Sequence, residues 1–261
     1  VEVYFRAADL GANRWTGSMA HLRVAGLSLD ATGALDAYPR RPKTAICYGD
    51  SITEGVGVDG KFTSWQILAP NNARGAWPGL VCSALDCEYG QIGSGGQGLV
   101  TPYNVPGCVT AWDHYDADTP RLVHGALVPE PDYFFCAHGN NDHVDLTEPY
   151  TKWLATVRKA CPHTQIFCVV PPAGIHRSEI TAAVNARNQA GDVVSPFFTP
   201  AITPPSPRHL LLAGPTPSRD QRREPKTAPA APSCPSATVT VLAFAGFFNA
   251  LSRTACCLPH Q

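Results

Sequence analysis

Between Lys43 and Gln189, short apolar runs take turns with stretches of helical periodicity, and this alternation restricts the fold more than any other property of the chain. Thr44 to Tyr48, Glu88 to Ile92, Pro131 to Ala137 and Gln165 to Val170 are near-continuous runs of strand length. Between them, Gly75 to Leu85 sets Trp77, Leu80, Val81, Ala84 and Leu85 at spacings that fit one helical face. Thr147-Glu148-Pro149 reads as a helix start, with a capping hydroxyl and a proline in the first turn, and Trp153, Leu154 and Val157 give that helix a core face. Glu179 to Gln189 is again helix-like. Buried strands separated by helices imply an α/β fold built on a parallel sheet covered on both faces.

The flanks have a different texture. Residues 1–42 hold two strand-like stretches, Val1 to Arg6 and His21 to Leu29, beside turn-rich Gly11-Ala12-Asn13 and Ala31-Thr32-Gly33. Two or three strands do not make a stable sheet alone, so this β-rich segment is expected to pack on the next domain or to belong to a small β-sandwich. Pro39-Arg40-Arg41-Pro42 is a stiff connector to the body, residues 43–190. From Gly191 onward prolines crowd a segment of little apolar periodicity, and residues 191–261 are expected to form a disordered tail.

Composition narrows the function classes. A net charge of -1 with 16% charged residues offers no basic field for nucleic acid, and Arg219-Asp220-Gln221-Arg222-Arg223-Glu224 is of mixed sign. The apolar run from Val239 to Leu251 is short of a membrane span. The ten cysteines include no Cys-x-x-Cys pair, so metal-ligand spacing is absent, and separately no organic cofactor is expected; Cys47, Cys136 and Cys168 lie inside strand-like runs and read as small buried hydrophobes. The chain begins at Val1 without an initiator methionine or an apolar leader, and reads as starting inside a longer protein, which leaves localisation and oligomeric state open.

The chemistry gathers at three turns. Thr44 to Tyr48 runs into Gly49-Asp50-Ser51, which would present a serine at the carboxyl end of a strand; Thr53 two residues later excludes the Gly-x-Ser-x-Gly elbow. Asp50 is expected to support the turn by bonding nearby backbone, and Glu54 to be a first-turn helix carboxylate. The second turn is Gly93-Ser94-Gly95-Gly96-Gln97-Gly98, where glycine lets backbone N–H groups approach a substrate oxygen. The third is Gly139-Asn140-Asn141-Asp142, which brings side-chain amide donors. A nucleophile with donors for a developing oxyanion, on loops at the carboxyl ends of different strands, is the equipment of acyl transfer.

These three blocks, in this order, resemble those of the SGNH/GDSL hydrolases, a superfamily of serine esterases with a three-layer, flavodoxin-like fold. The likeness covers about Lys43 to Gln189; the β-rich front makes it similar to two-domain carbohydrate esterases of that superfamily. It implies Ser51 as nucleophile, the Ser51 and Gly96 backbone amides and the Asn141 side chain as oxyanion donors, and a short acyl ester, such as an acetylated sugar, as substrate. The chain departs from the family in one block: no aspartate is followed three residues later by histidine, the pair that would supply the general base and its orienting carboxylate. His209 and His260 lie in the tail without that aspartate, and His138 and His143, beside the third block, are expected to pack or to contact substrate. The body is therefore expected to lack its last strand and helix, and a catalytically impaired protein that binds a carbohydrate or ester is the alternative to an active esterase.

Overall fold

The computed structural model describes residues 6–17, 22–30, 33–34, 37–64, 67–172, 174–198 and 237–243. In chain order its elements are β1 (Leu22–Leu29), β2 (Lys43–Gly49), α1 (Ser51–Glu54), α2 (Trp77–Ala84), β3 (Cys87–Gly93) and α3 (Cys108–Ala111). Two small antiparallel ribbons follow, β4 (His114–Asp116) with β5 (Thr119–Pro120) and β6 (Leu122–Val123) with β7 (Ala126–Leu127). Then come β8 (Tyr133–Ala137), α4 (Thr147–Ala160), β9 (Gln165–Val170), α5 (Arg177–Gln189), β10 (Val194–Phe198) and β11 (Ala237–Ala243).

Five strands form a wholly parallel sheet in the order β10-β9-β8-β2-β3. Counted along the body this is 2-1-3-4-5, the doubly wound flavodoxin-like order, whose first and third strands flank the point where the winding reverses. Side chains alternate across the sheet. Ile46, Tyr48, Phe134, Cys136, Ile166 and Cys168 pack with α4 and α5, while Ala45, Cys47, Phe135 and Val169 pack with Cys82 of α2. On the larger face Trp153 of α4 meets Trp112, Phe134 and Tyr150 edge to face, with ring centroids 5.9–6.4 Å apart. The seven described cysteines are free and buried, Cys47, Cys136 and Cys168 among them.

Three expectations are corrected. First, the body does not stop at residue 190: Val194–Phe198 pairs in parallel with Ile166–Val170, so the fifth strand is present. Pro196 had argued against a strand, but β10 lies at the sheet's edge, where a missing N–H costs little. Second, the face of α2 is rotated. Leu80 and Leu85 are exposed, and the helix instead buries Pro78 and Cys82, whose Sγ lies 3.9 Å from that of Cys47. Third, Thr147 does not cap α4 with its hydroxyl; its backbone N–H donates to the Asp145 carboxylate at 2.7 Å.

Of the β-rich front, the expected strand at Val1 to Arg6 lies outside the described residues except for Arg6, whereas the second is found as β1. It pairs antiparallel with β11, a strand within the segment expected to be a disordered tail. Among the described residues no helix is long and apolar enough to cross a membrane.

Candidate active site

The three blocks meet because three strands end level. Gly49, the last residue of β2, is in register with Gly93 of β3 on one side and Ala137 of β8 on the other. The chain leaves each strand at the same height into Asp50-Ser51, Ser94-Gly95-Gly96 and His138 to Asn141. Gly49 itself has no room for a side chain, since a Cβ there would collide with Thr53 where α1 folds back over the strand end. Gly96 takes a positive φ of 78°, a conformation that L side chains rarely adopt.

Asp50 caps α1: its Oδ1 accepts the Ile52 N–H at 2.9 Å, as the turn-supporting reading expected. It is fully buried, and burial pushes its carboxyl up to about 6, with the Ile52 N–H working in the opposite direction. Ser51, the first residue of α1, is half-buried beside it. Asn141 spans the other two blocks. Its Nδ2 donates to Asp50 Oδ2 at 3.2 Å and to the Gln97 carbonyl at 3.0 Å, so one amide ties the residue before Ser51 to the residue after Gly96.

Around this amide lies a polar frame that the sequence reading mostly missed. The buried Asp142 carboxylate accepts the successive N–H groups of Leu99, Val100 and Thr101 and the Thr101 hydroxyl, at 2.6–3.0 Å, and so fixes the loop beyond Gly98. Its backbone carbonyl accepts from His176 Nε2 at 3.1 Å, while His176 Nδ1 faces Glu179 at 2.9 Å. Burial opposes charge on His176, but these acceptors outweigh it and raise its pKa. Glu54 does more than sit in a first turn. It is buried, accepts the Gly95 N–H at 2.8 Å and pairs with Arg14 at 2.7 Å, linking α1, the glycine loop and the front segment. The position of Asp142 inside the third block was the available signal; the Arg14–Glu54 and His176–Asp142 contacts join residues 40 and 34 positions apart.

The histidines beside the third block have separate fates. His138 is fully buried, and burial lowers its pKa to about 4, only partly offset by Asp142. Gln97 spends its amide on the Pro106 carbonyl, so its Oε1 takes the Nε2–H of a neutral His138 at 3.2 Å. His138 therefore packs, as expected. His143 is exposed. Among the described residues no histidine hydrogen-bonds Ser51, and His209 and His260 lie outside them.

No family profile matches the chain, and no curated protein sequence matches it. Solved structures do. A carbohydrate esterase family 2 enzyme with a carbohydrate-binding domain from Myceliophthora fergusii is 22% identical, with a TM-score of 0.53 over 64% of this chain and 59% of that one. An acetyl xylan esterase from the rumen bacterium Butyrivibrio proteoclasticus is 19% identical, with a TM-score of 0.54 over 65% of this chain and 58% of that one. A family two carbohydrate esterase from Cellvibrio japonicus is 20% identical, with a TM-score of 0.54 over 63% of this chain and 54% of that one. The chain thus spans less than two thirds of each of these structures, and the likeness at these identities is one of fold: the SGNH-type α/β architecture expected from the three blocks.

Proposed function

We propose that the chain carries a serine esterase site that hydrolyses a short-chain acyl ester, with an acetylated carbohydrate as the substrate class. The observation that carries this reading is the Asn141 amide, which joins the Ser51 turn to the Gly96 loop through Asp50 and the Gln97 carbonyl. The fold shared with an acetyl xylan esterase and with family two carbohydrate esterases supports the substrate class.

In this reading the Ser51 hydroxyl attacks the ester carbonyl, and the oxygen that gains charge is met by the Ser51 and Gly96 N–H groups and by Asn141 Nδ2. The alcohol leaves, and water releases the acyl group from Ser51. Nδ2 has two protons, both engaged before substrate arrives. The longer bond, to Asp50, is the one to yield to the oxyanion, and a protonated Asp50 releases it more readily than an ionised one. The proton of Ser51 needs a base. In the hydrolases this chain resembles, the base is the histidine of the Asp-x-x-His block, which this sequence lacks.

The missing Asp-x-x-His favours a second reading, an SGNH-fold protein that binds a carbohydrate or ester and turns it over poorly. Loss of the base in a catalytic triad costs on the order of a millionfold in turnover, while the oxyanion donors retain part of the catalysis. Short-chain p-nitrophenyl ester hydrolysis by the chain and by Ser51→Ala separates the two. A rate that falls to background in the variant supports the acyl-enzyme; equal rates remove the esterase reading.

A further inference from the structure

An aromatic ring lies against the glycine of the second block. A Cβ built on Gly96 would meet Cγ and Cδ1 of Tyr103 at 2.7 Å, so the ring occupies the space where any other residue would carry its side chain. Backbone dimensions then put those ring carbons no more than about 5 Å from the Gly96 nitrogen. Tyr103 is 51% exposed, which for a lone aromatic is ordinary. Its position is not, because it rests on the loop whose N–H is aimed at the ester oxygen. The loop that carries the ring is closed at its base, where the Gly98 N–H donates to the Thr101 carbonyl at 2.8 Å and the Cys108 N–H to the Gly98 carbonyl at 3.1 Å. Asp142 takes the three N–H groups that follow Gly98. The Tyr103 N–H itself donates to the Val105 carbonyl at 3.0 Å, and the side-chain amides of Asn104 and Gln97 donate to the Leu10 and Pro106 carbonyls. A backbone tied this often gives the ring a fixed origin, so little freedom is lost when a ligand packs on it.

What packs there follows from the geometry. An ester whose carbonyl oxygen accepts the Gly96 N–H has one of its two halves beside Tyr103. A half-exposed ring makes a poor closed wall for a short acyl group, which would keep its methyl in water. It makes a good open platform for the alcohol half, provided that half offers one apolar face to the ring and keeps the other wet. A pyranose does both: its axial C–H groups form a face of about the size of a phenol ring and carry partial positive charge toward the negative π face, while its hydroxyls stay hydrated at the rim. We propose that Tyr103 is a specificity residue that stacks the sugar ring of an acetylated pyranoside while the ester carbonyl lies at Gly96, an assignment that rests on the carbohydrate-ester reading of the Ser51 site.

Binding is measured without turnover, from line broadening of the acetyl methyl protons of an O-acetylated methyl xylopyranoside titrated against the whole chain carrying Ser51→Ala. Saturable binding is expected. In that background Tyr103→Trp should bind at least as tightly, while Tyr103→Ala and Tyr103→Leu, which lose the ring, should each bind about five- to tenfold more weakly. Tyr103→Leu keeps apolar cover over Gly96 and so separates stacking from support of the glycine. No saturable binding by the Ser51→Ala chain, undiminished binding by Tyr103→Leu, or a Tyr103→Trp variant as weak as Tyr103→Ala overturns the proposal. With Ser51 restored, Tyr103→Leu should lower kcat/KM for the pyranoside by a similar factor, through KM, and change that for ethyl acetate, which has no ring to stack, less than twofold. Equal falls for the two esters also overturn the proposal. A chain that binds the pyranoside with the expected order of variants and releases no acetate sinks the esterase reading alone and supports the stacking role.

Discussion

Asp50 is the residue whose environment departs furthest from what its neighbours in sequence suggest. Its carboxyl moves from 3.8 to about 6 on folding because burial disfavours the charged form. A raised folded pKa means that the native state holds the proton longer than the unfolded state. The stabilising contribution is therefore complete below about 4 and is lost as pH rises through 6. The shift corresponds to about 3 kcal/mol. In urea titrations the stability of Asp50→Asn minus that of the wild type should climb by about 2–3 kcal/mol between pH 3.5 and pH 7. A pH-independent difference would contradict the assignment. The capping half of the role of Asp50 was legible, because an aspartate before a helix start bonds the backbone beyond it. Its second bond, to Asn141, joins residues 91 positions apart and no local pattern encodes it.

At the scale of elements, legibility followed length. The fourteen-residue helix α4 repeats its apolar stripe often enough that Trp153, Leu154 and Val157 were placed correctly on its buried face. The eight residues of α2 give just over two turns, and there the large side chains at Leu80 and Leu85 outvoted Cys82, whose small thiol suits the close approach to Cys47. Proline hid β10 in the same way, since edge position and not residue preference decided its fate. Trp153 tests the energetic side of α4. It is 2% exposed, and its buried indole N–H finds no acceptor among the described residues. Trp153→Ala should cost about 3–5 kcal/mol in equilibrium unfolding, from lost contacts and the cavity left behind. Trp153→Phe keeps the edge-to-face contacts and removes the unsatisfied donor, so it should cost clearly less than the alanine variant. Equal losses would mean that the ring contacts with Trp112, Phe134 and Tyr150 contribute little.

The whole molecule joins its front to its site. Residues 6–17 are not a detached preface to the body: Leu10 is 1% exposed, Arg6 pairs with Asp59, and Trp15 contacts His114 edge to face. Arg14 then reaches Glu54, three residues after Ser51, and Glu54 holds the Gly95 N–H. Sequence reading placed Glu54 in a first helical turn and did not single out Arg14, because a pair separated by 40 residues leaves no local trace. Arg14→Met should leave Glu54 as an unpaired buried carboxylate and cost about 3–5 kcal/mol. Adding Glu54→Gln should recover a large part of that loss, since a neutral amide still accepts from Gly95. Additive losses in this double-mutant cycle would show that the pair acts only as packing.

The level ending of β2, β3 and β8 has a consequence for which kinds of change this chain can absorb. A loop that starts from a fixed height can grow or change without disturbing its neighbours. A single residue inserted within β2 would instead turn Ile46 and Tyr48 to the opposite face of the sheet and lift the serine turn by about 3.3 Å relative to Gly93 and Ala137. In these strands, residue count is held more tightly than residue identity, and related chains that keep the site should vary in composition from Lys43 to Gly49 well before they vary in length.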